Sequence, residues 1–498
     1  MTPSMRAGLR IAGAALAVAL TAVAPGVAGA QDAPEPGSPE YVQRDARNML
    51  DGYGRQTGPG GQFSPEYLAE VVPNGVPQGL GQLYDQASDP TRPALTPGNF
   101  FPGWNNGNAF RFEWDGKRGI EIPIAFTNRY GALLRGHVSA PLPGARDPYS
   151  GRRLKPPFPA VVITTGSVQG SERMYTWLAQ DLAERGYVVL TYDVQGQGTS
   201  ETLPHAGSPA EDLGFCDPSG DPAEGEMTGC PGVPSQQTAN FVHGTLDATD
   251  FMYATPREPY ANPSAGSAKV DAHNPLWRLV DRRPDGRTDT PGRTNRLAII
   301  GHSLGASAVS WVQAFDERVM TVVGLDKLRA GASFAGRQAA PVVPGLGLQA
   351  DYGFWVQPYW ADSGSPGEAP DPARERRTGF DGWQEAGVDS MVVVPRAASH
   401  LDWTDINFVL PASRYGQALS SVYTQAWLDK YLKHRKGADR RLTATEFRYL
   451  EPSGGGEWTE IGLQRDPLLS FYFCSAWDFT ARDGATVADE DVTGVGCG

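Results

Sequence analysis

The sequence predicts an α/β fold in which helices flank a mostly parallel central sheet. Two stretches carry this prediction: a strand, helix and strand over residues 159–192, and a strand, tight turn and helix over residues 297–315. The strands in both are continuous apolar runs, such as the one at residues 160–163. Strands of this kind are buried on both faces, which is typical of parallel sheets covered by helices.

An N-terminal extension over residues 31–109 precedes this core. It is rich in Gly, Pro, Asn and Gln, so we expect it to wrap over the surface, with helices at residues 39–50 and 77–87. Three antiparallel strands are expected to lead into the sheet, at residues 110–114, 120–126 and 132–139.

Strands and helices then alternate through the core. Core strands are expected at residues 159–164, 187–192, 297–300, 319–325, 345–350 and 391–395. Helices are expected at residues 171–185, 306–315, 372–387 and 417–434. Residues 201–293 interrupt the alternation with one helix at 238–254, and are a candidate insertion or lid because they are too long for an ordinary loop. A C-terminal extension over residues 437–498 contains one strand-like run at 468–474.

The first 30 residues have the pattern of a secretory signal peptide. Arg6 and Arg10 precede an apolar stretch at residues 11–24, and Ala28-Gly29-Ala30 is a small-residue cleavage site. We therefore expect cleavage after Ala30 and secretion, with an uncleaved anchor as the alternative. No later segment has the roughly 18 uninterrupted apolar residues of a membrane span, so no stable span is predicted.

The net charge and the cysteines indicate which binding partners, disulfides and metal sites to expect. The net charge of −13 argues against nucleic acid and anionic membranes. An even number of cysteines in an exported chain indicates two disulfides, and sequence proximity favours Cys216–Cys230 and Cys474–Cys497 among three pairings. These cysteines lack the spacing of a metal site, so we expect no metal and no cofactor.

The pentapeptide Gly301-His302-Ser303-Leu304-Gly305 has the pattern G-x-S-x-G between an apolar strand and a helix. A sharp turn there packs neighbouring chain against the serine, so only glycine fits at the flanking positions. The turn lifts the hydroxyl to a helix N-terminus, which stabilises developing negative charge. Ser303 is therefore a candidate nucleophile; a plain Gly/Ser-rich turn is the alternative.

A serine nucleophile needs a base, and the base needs a group that orients it. His400 is the candidate base because it follows the last core strand. Asp351 is the preferred acid, and Asp326 stays open as the competitor, since each ends a core strand. The backbone amides of Leu304 and Ser167 are the candidate oxyanion donors, with Val168 as the alternative to Ser167.

Taken in chain order, these segments resemble the α/β-hydrolase superfamily. The resemblance rests on residues 161–167, 177–189, 301–305, Asp351 and 398–400. It covers roughly residues 120–436 and implies an α/β-hydrolase domain over residues 110–436. Within the superfamily, the chain is similar to secreted cutinase-like and dienelactone-hydrolase-like esterases. It departs from them at Thr165, where His or Pro is frequent, and at Gln195, where Arg is usual.

The resemblance implies a secreted serine esterase that acts on a small-molecule or lipid-like ester. An acyltransferase or a peptidase would use the same residues, and a non-catalytic hydrolase-like binding module is the alternative from another class. An aromatic cluster lies near Asp351 and His400 in sequence: Tyr352, Phe354, Trp355, Tyr359, Trp360 and Trp403. It would suit an apolar or aromatic substrate group, or it packs in the core. The oligomeric state stays open.

Overall fold

The computed structural model describes most of the chain after the expected signal peptide. The described residues are 34–89, 106–129, 131–167, 171–202, 237–261, 270–287, 290, 292–359, 369–408 and 412–497. The expected signal peptide at 1–30, Val168, the predicted disulfide Cys216–Cys230 and Trp360 lie outside them. By contact the chain divides into residues 1–34 and 35–498, and the elements named below all belong to the second unit.

Ten strands form one sheet in the described part of the chain. The described residues contain fourteen strands in all, of which β7 pairs with β8 and β11 with β12 in two small separate sheets. In chain order they are β1 (Gly119–Thr127), β2 (Leu133–Pro141), β3 (Ala160–Thr164), β4 (Val188–Tyr192), β5 (Leu297–His302), β6 (Val319–Leu325), β7 (Ser333–Phe334), β8 (Arg337–Gln338), β9 (Gly345–Leu348), β10 (Ser390–Val393), β11 (Glu446–Gly454), β12 (Glu457–Gln464), β13 (Ala476–Thr480) and β14 (Thr486–Asp489). The sheet order is β1-β2-β4-β3-β5-β6-β9-β10-β13-β14. The strands from β4 to β10 in this order are parallel, and the two at each edge pair antiparallel.

Helices cover both faces of this sheet. They are α1 (Pro39–Asp51), α2 (Gly54–Thr57), α3 (Pro65–Ser88), α4 (Thr176–Glu184), α5 (Thr238–Tyr253), α6 (Leu304–Phe315), α7 (Arg374–Thr378), α8 (Phe380–Glu385), α9 (Gly416–Tyr431) and α10 (Ala438–Leu442). In the described residues, no helix is both long and apolar enough to cross a bilayer. The predicted α/β fold with a mostly parallel sheet is confirmed.

Alternation along the central strands builds two apolar layers. Val161 and Ile163 of β3 point to the layer that contains Trp177 of α4 and Trp427 of α9. Val162, between them, points to the opposite layer, which contains residues of α5 and α6. Because successive side chains of a strand face opposite ways, a wholly apolar strand supplies both layers. The loops at the strand ends are therefore held on a rigid base.

Three predicted elements are wrong. Residues 110–114 are not a strand, because Asn108 accepts a hydrogen bond from the Phe110 amide (3.0 Å) and starts a 3₁₀ turn at Ala109–Arg111. The helix predicted at 372–387 is split into α7 and α8 at Gly379, where a Cβ would lie only 2.7 Å from the Leu328 carbonyl oxygen. The strand-like run at 468–474 is a 3₁₀ turn and loop, and the strand comes later, as β13.

The C-terminal segment is part of the central sheet. β13 pairs with β10 and β14 pairs with β13, so the sheet extends two strands beyond β10. The predicted disulfide Cys474–Cys497 is present and ties the end of the chain to the residues just before β13. In the same segment, the Ser470 hydroxyl donates to Asp351 after β9, and the Ser470 amide donates to the Val394 carbonyl after β10 (2.8 Å).

Candidate active site

The pentapeptide at 301–305 forms the turn from β5 into α6. Ser303 has φ 56° and ψ −119°, a strained conformation for a residue with a side chain. A Cβ at Gly301 would collide with the carbonyl of Gly305, and a Cβ at Gly305 would collide with the chain at 164–165. The two glycines therefore allow the close packing that this turn requires.

The imidazole of His400 lies between a hydroxyl and a carboxylate. Its Nε2 is 2.9 Å from the Oγ of Ser303, and its Nδ1 is hydrogen-bonded to Oδ2 of Asp326. With a carboxylate at Nδ1, the neutral ring carries its proton on Nδ1 and offers Nε2 as the acceptor for the serine hydroxyl. This geometry can move a proton from Ser303 to His400.

Asp326 is held firmly in this position. It follows β6 directly, at φ 38°, and its Oδ1 accepts a hydrogen bond from the Ala350 amide (3.1 Å). Burial alone would raise the pKa of Asp326, but the hydrogen bond and charge of His400, with the charge of Lys327, lower it to about 2. The carboxylate is therefore ionised at neutral pH and can stabilise a positive charge on His400.

The preference for Asp351 as the partner of His400 is corrected by the structure. The Asp351 carboxylate accepts hydrogen bonds from Asn48 Nδ2 (2.7 Å), the Ala397 amide (2.9 Å) and the Ser470 hydroxyl. The physical reason lies in the strand order: β6 is the neighbour of β5, whereas β9 is one strand farther away. The loop after β6 is thus the nearer of the two to the turn at residues 301–305, which we call the elbow.

The two candidate oxyanion donors are backbone amides, one in the turn at 301–305 and one in the loop after β3. Leu304 is the first residue of α6, and Ser167 is half-buried in the loop after β3. Neither amide donates to a backbone acceptor in the residues that the structure describes. The Gly166 amide is already engaged by the Tyr175 hydroxyl (2.9 Å), and Val168 lies outside the described residues. Leu304 and Ser167 therefore remain the candidate donors.

Sequence reasoning missed His302 and Tyr175. The buried His302 ring accepts from the Tyr175 hydroxyl at Nδ1 (2.8 Å) and contacts the backbone oxygen of His400 through Nε2 (2.9 Å). Burial, and then the charge of His400, lower the pKa of His302 to about 3, so the ring is neutral and donates from Nε2. Hydrogen bonds thus run from Gly166 to the loop that carries His400. The variable position of G-x-S-x-G gave no signal of this link.

The predicted aromatic cluster divides into two groups. The core group is buried: Tyr352, Tyr359 and Trp403. Phe354 and Trp355 are 49% and 58% exposed, and the centroids of their rings are 5.2 Å apart. The Phe354 ring also stacks on His400, with centroids 5.2 Å apart and an interplanar angle of 29°. An apolar surface therefore borders the imidazole on the solvent side.

In the described part of the chain, no group of three or more His, Cys, Asp or Glu residues is arranged to hold a metal ion. No family model and no curated protein matches the sequence. Solved structures do match, among them a ferulic acid esterase from Streptomyces cinnamoneus, 18% identical, covering 63% of this chain and 89% of that chain, with a TM-score of 0.35. A likeness this weak carries no conclusion about chemistry, which must come from the residues of the site itself.

Proposed function

We propose that this protein is a serine hydrolase that cleaves carboxylic esters through an acyl-enzyme on Ser303. The observation that carries the proposal is the continuous hydrogen-bonded line from Ser303 Oγ through His400 to Asp326. A hydroxyl, an imidazole and a buried ionised carboxylate in this order form a nucleophile, its base and the group that orients the base.

In the first half of the reaction, Ser303 Oγ attacks the ester carbonyl carbon while His400 Nε2 takes the hydroxyl proton. The carbonyl oxygen becomes an oxyanion, which the Leu304 and Ser167 amides stabilise. The bond to the alcohol then breaks, and His400 returns the proton to the leaving oxygen. Asp326 stays ionised and balances the charge of the imidazolium while it exists.

In the second half, water replaces the alcohol. His400 takes a proton from the water as its oxygen attacks the acyl carbon, the same two amides hold the new oxyanion, and the bond to Ser303 breaks. The proton passes back to Ser303 Oγ, and the carboxylic acid leaves. No cofactor takes part in either half.

The proposed substrate is a small-molecule or lipid-like ester with an apolar or aromatic group. The support is the exposed pair of Phe354 and Trp355 beside His400, because large apolar rings at a surface gain by covering one another or a ligand. We also propose that the protein is secreted. The disulfide Cys474–Cys497 fits an oxidising compartment, as does the expected signal peptide.

The test is hydrolysis of short p-nitrophenyl esters together with labelling by a fluorophosphonate probe. Wild-type protein should hydrolyse the esters and be labelled at Ser303, whereas Ser303→Ala should lose both. The control is Ser307→Ala, which removes a hydroxyl one turn along α6 and should keep both. Ester hydrolysis retained by Ser303→Ala would overturn the proposal.

The same experiment distinguishes the three alternative hypotheses: an acyltransferase, a peptidase and a non-catalytic binding module. Labelling without ester turnover, but with product formed when an alcohol or amine acceptor is added, would identify an acyltransferase. Cleavage of amide substrates in preference to esters would identify a peptidase. A folded wild-type protein that is not labelled at Ser303 would be a binding module on a hydrolase-like scaffold.

A further inference from the structure

A large cavity lies at the edge of the sheet opposite to Ser303. It has a volume of about 1070 Å³ and is lined by the loop at 147–154, the segment at 435–441 and the β11–β12 hairpin. One of its lining residues is Arg185, at the end of α4. Because α4 carries the chain back from the end of β3 to the start of β4, Arg185 lies at the N-terminal edge of the parallel strands. Ser303 lies at their C-terminal edge.

The charge of this cavity is opposite to that of the chain. Seven arginine or lysine side chains line it, against three carboxylates. The whole sequence has 43 basic and 56 acidic residues. Positive groups are therefore concentrated here far beyond their average frequency, and a concave wall of like charges focuses a positive potential.

The first buried carboxylate beneath the cavity is Asp147. It pairs with Arg185 NH1 (2.7 Å) and with Arg435 NH1 (2.8 Å). The side chains of Asp147 and Arg185 are 1% and 4% exposed. Two guanidinium groups thus share one carboxylate that is itself almost fully buried.

The second buried carboxylate is Asp429. Arg185 binds it as well, Arg441 NH1 lies 3.0 Å from it, and Lys433 Nζ lies 3.6 Å from it. Together with Arg435, three guanidinium groups and the Lys433 amine surround two carboxylates, so the guanidinium groups alone outnumber the carboxylates. Buried charges are stable only when they are balanced.

The pKa values of two basic side chains in this cluster are lowered from their ordinary values. Burial, and then the nearby Arg185, lower the pKa of Arg441. Burial also lowers the pKa of Lys433 well below its ordinary value; Asp429 opposes this shift, whereas Arg435 and Arg185 add to it. The Nε of Arg185 has no hydrogen-bond partner in the described part of the chain. The cluster thus holds both surplus charge and an unused donor.

The rim adds further cations. Arg152, Arg153 and Lys436 are exposed at the cavity, and none of them pairs with a carboxylate among the residues that the structure describes. Guanidinium groups bind phosphate and sulfate oxygens in pairs, so several around one hollow favour an anion with more than one charge.

We propose that this cavity is a binding site for a small multivalent oxyanion, a molecule that carries two or more phosphate or sulfate groups. The rim cations Arg152, Arg153 and Lys436 meet the outer groups of the ligand, and the cluster around Arg185 attracts it from below. The site is remote from Ser303 and does not depend on what Ser303 does. The cavity is large enough for a sugar-sized molecule that carries these groups.

The test is isothermal titration calorimetry on the full protein with two probes at equal ionic strength: inorganic pyrophosphate and a doubly sulfated disaccharide. We expect one saturable site for at least one probe, and the tighter probe assigns the ligand to phosphate or to sulfate. The double variant R153A/K436A should weaken that binding by about tenfold or more, because two charged contacts are lost.

Two further variants keep the result interpretable. Arg278→Ala removes an exposed arginine outside the cavity and should leave the affinity unchanged. Arg153→Lys keeps the charge and should retain most of it. Absence of saturable binding for both probes, or equal affinity in the wild type and R153A/K436A, would overturn the proposal. The rim variants leave the buried ion pairs intact, so misfolding is not expected to imitate a loss of binding.

Discussion

Asp326 and Asp351 are both buried aspartates that follow core strands, yet they have different hydrogen-bond partners and different roles. One carboxylate oxygen of Asp326 accepts a hydrogen bond from His400, and the other accepts one from the Ala350 amide. The carboxylate of Asp351 accepts hydrogen bonds from Asn48, Ala397 and Ser470, which come from three distant parts of the chain. The first carboxylate orients an imidazole, and the second joins the two terminal segments to the loop after β10.

The electrostatics of the two sites follow from these partners. His400 and Lys327 lower the pKa of Asp326 against the effect of burial. The donors around Asp351 are mostly neutral, so burial prevails and its pKa is raised. Burial therefore does not mark a carboxylate for chemistry; the nature of its hydrogen-bond donors does.

The largest expected difference is catalytic. Asp326→Asn should lower kcat for p-nitrophenyl esters by roughly 10³-fold to 10⁴-fold, because the amide leaves His400 in the wrong tautomer. Asp351→Asn should keep kcat within about threefold in folded protein, since Asp351 does not contact the imidazole. Steady-state kinetics of both variants checks this, and the reverse order of losses would restore Asp351 as the acid.

The next difference is in stability. Asp351→Asn should lower the free energy of unfolding by about 1–3 kcal/mol, because its amide group would face donors that now bind a carboxylate. Urea unfolding at neutral pH measures this loss. Asn48→Ala, which removes one of those donors, should reduce the effect of Asp351→Asn in a double-mutant cycle. Additive losses would show that the pair is not coupled.

As pH falls, the contributions of the two carboxylates to the free energy of unfolding should change in opposite directions. The folded pKa of Asp326, about 2, is below its ordinary value of 3.8, so its contribution is full above pH 4 and is lost as pH falls towards 2. The shift corresponds to roughly 2 kcal/mol. The stability deficit of Asp326→Asn relative to wild type should therefore shrink between pH 4 and pH 2.

Asp351 should behave in the opposite way. Its folded pKa is raised above 3.8, so the folded protein takes up its proton first and gains stability as pH falls through the raised value. The deficit of Asp351→Asn should therefore grow between neutral pH and pH 4. Urea unfolding measured from neutral pH down to about pH 2 checks both signs, and parallel curves for the two variants would contradict the contrast.

The smallest expected effect concerns Phe354, whose side chain extends from the Asp351 loop to the imidazole of His400. Phe354 stacks on His400, so Phe354→Ala should raise KM for aromatic and long-chain esters by about threefold to tenfold and change kcat little. Phe354→Leu, which keeps an apolar side chain, should restore part of the affinity for long-chain esters. Unchanged KM for every ester would show that the substrate does not meet this ring.

Much of the sheet could be predicted because its parallel strands are short, predominantly apolar runs. The predicted strand at 319–325 has the same bounds as β6, and β5 continues the predicted 297–300 into the elbow. Periodicity could not find the 3₁₀ turn at Ala109–Arg111, which depends on one side-chain cap, or the break at Gly379, which depends on contact with Leu328. These are local contacts between residues rather than patterns.

The nucleophile and the base of the candidate site could be predicted from the sequence, but the carboxylate that partners the base could not. Ser303 follows from its motif and His400 from its position after the last parallel strand, and both meet in the structure. The choice between Asp326 and Asp351 required the strand order, which no single strand encodes. His302 could not be found from the sequence, because its contacts with Tyr175 and the His400 backbone depend on the packing of three loops.

The pairing of His400 with Asp326 can be tested most directly by proton NMR. An imidazole Nδ1–H bound to a buried carboxylate gives a resonance far downfield of the other protons, and His400→Gln should remove it. We predict that the resonance is absent in Asp326→Asn and retained in Asp351→Asn. Its persistence in Asp326→Asn together with its loss in Asp351→Asn would contradict the account.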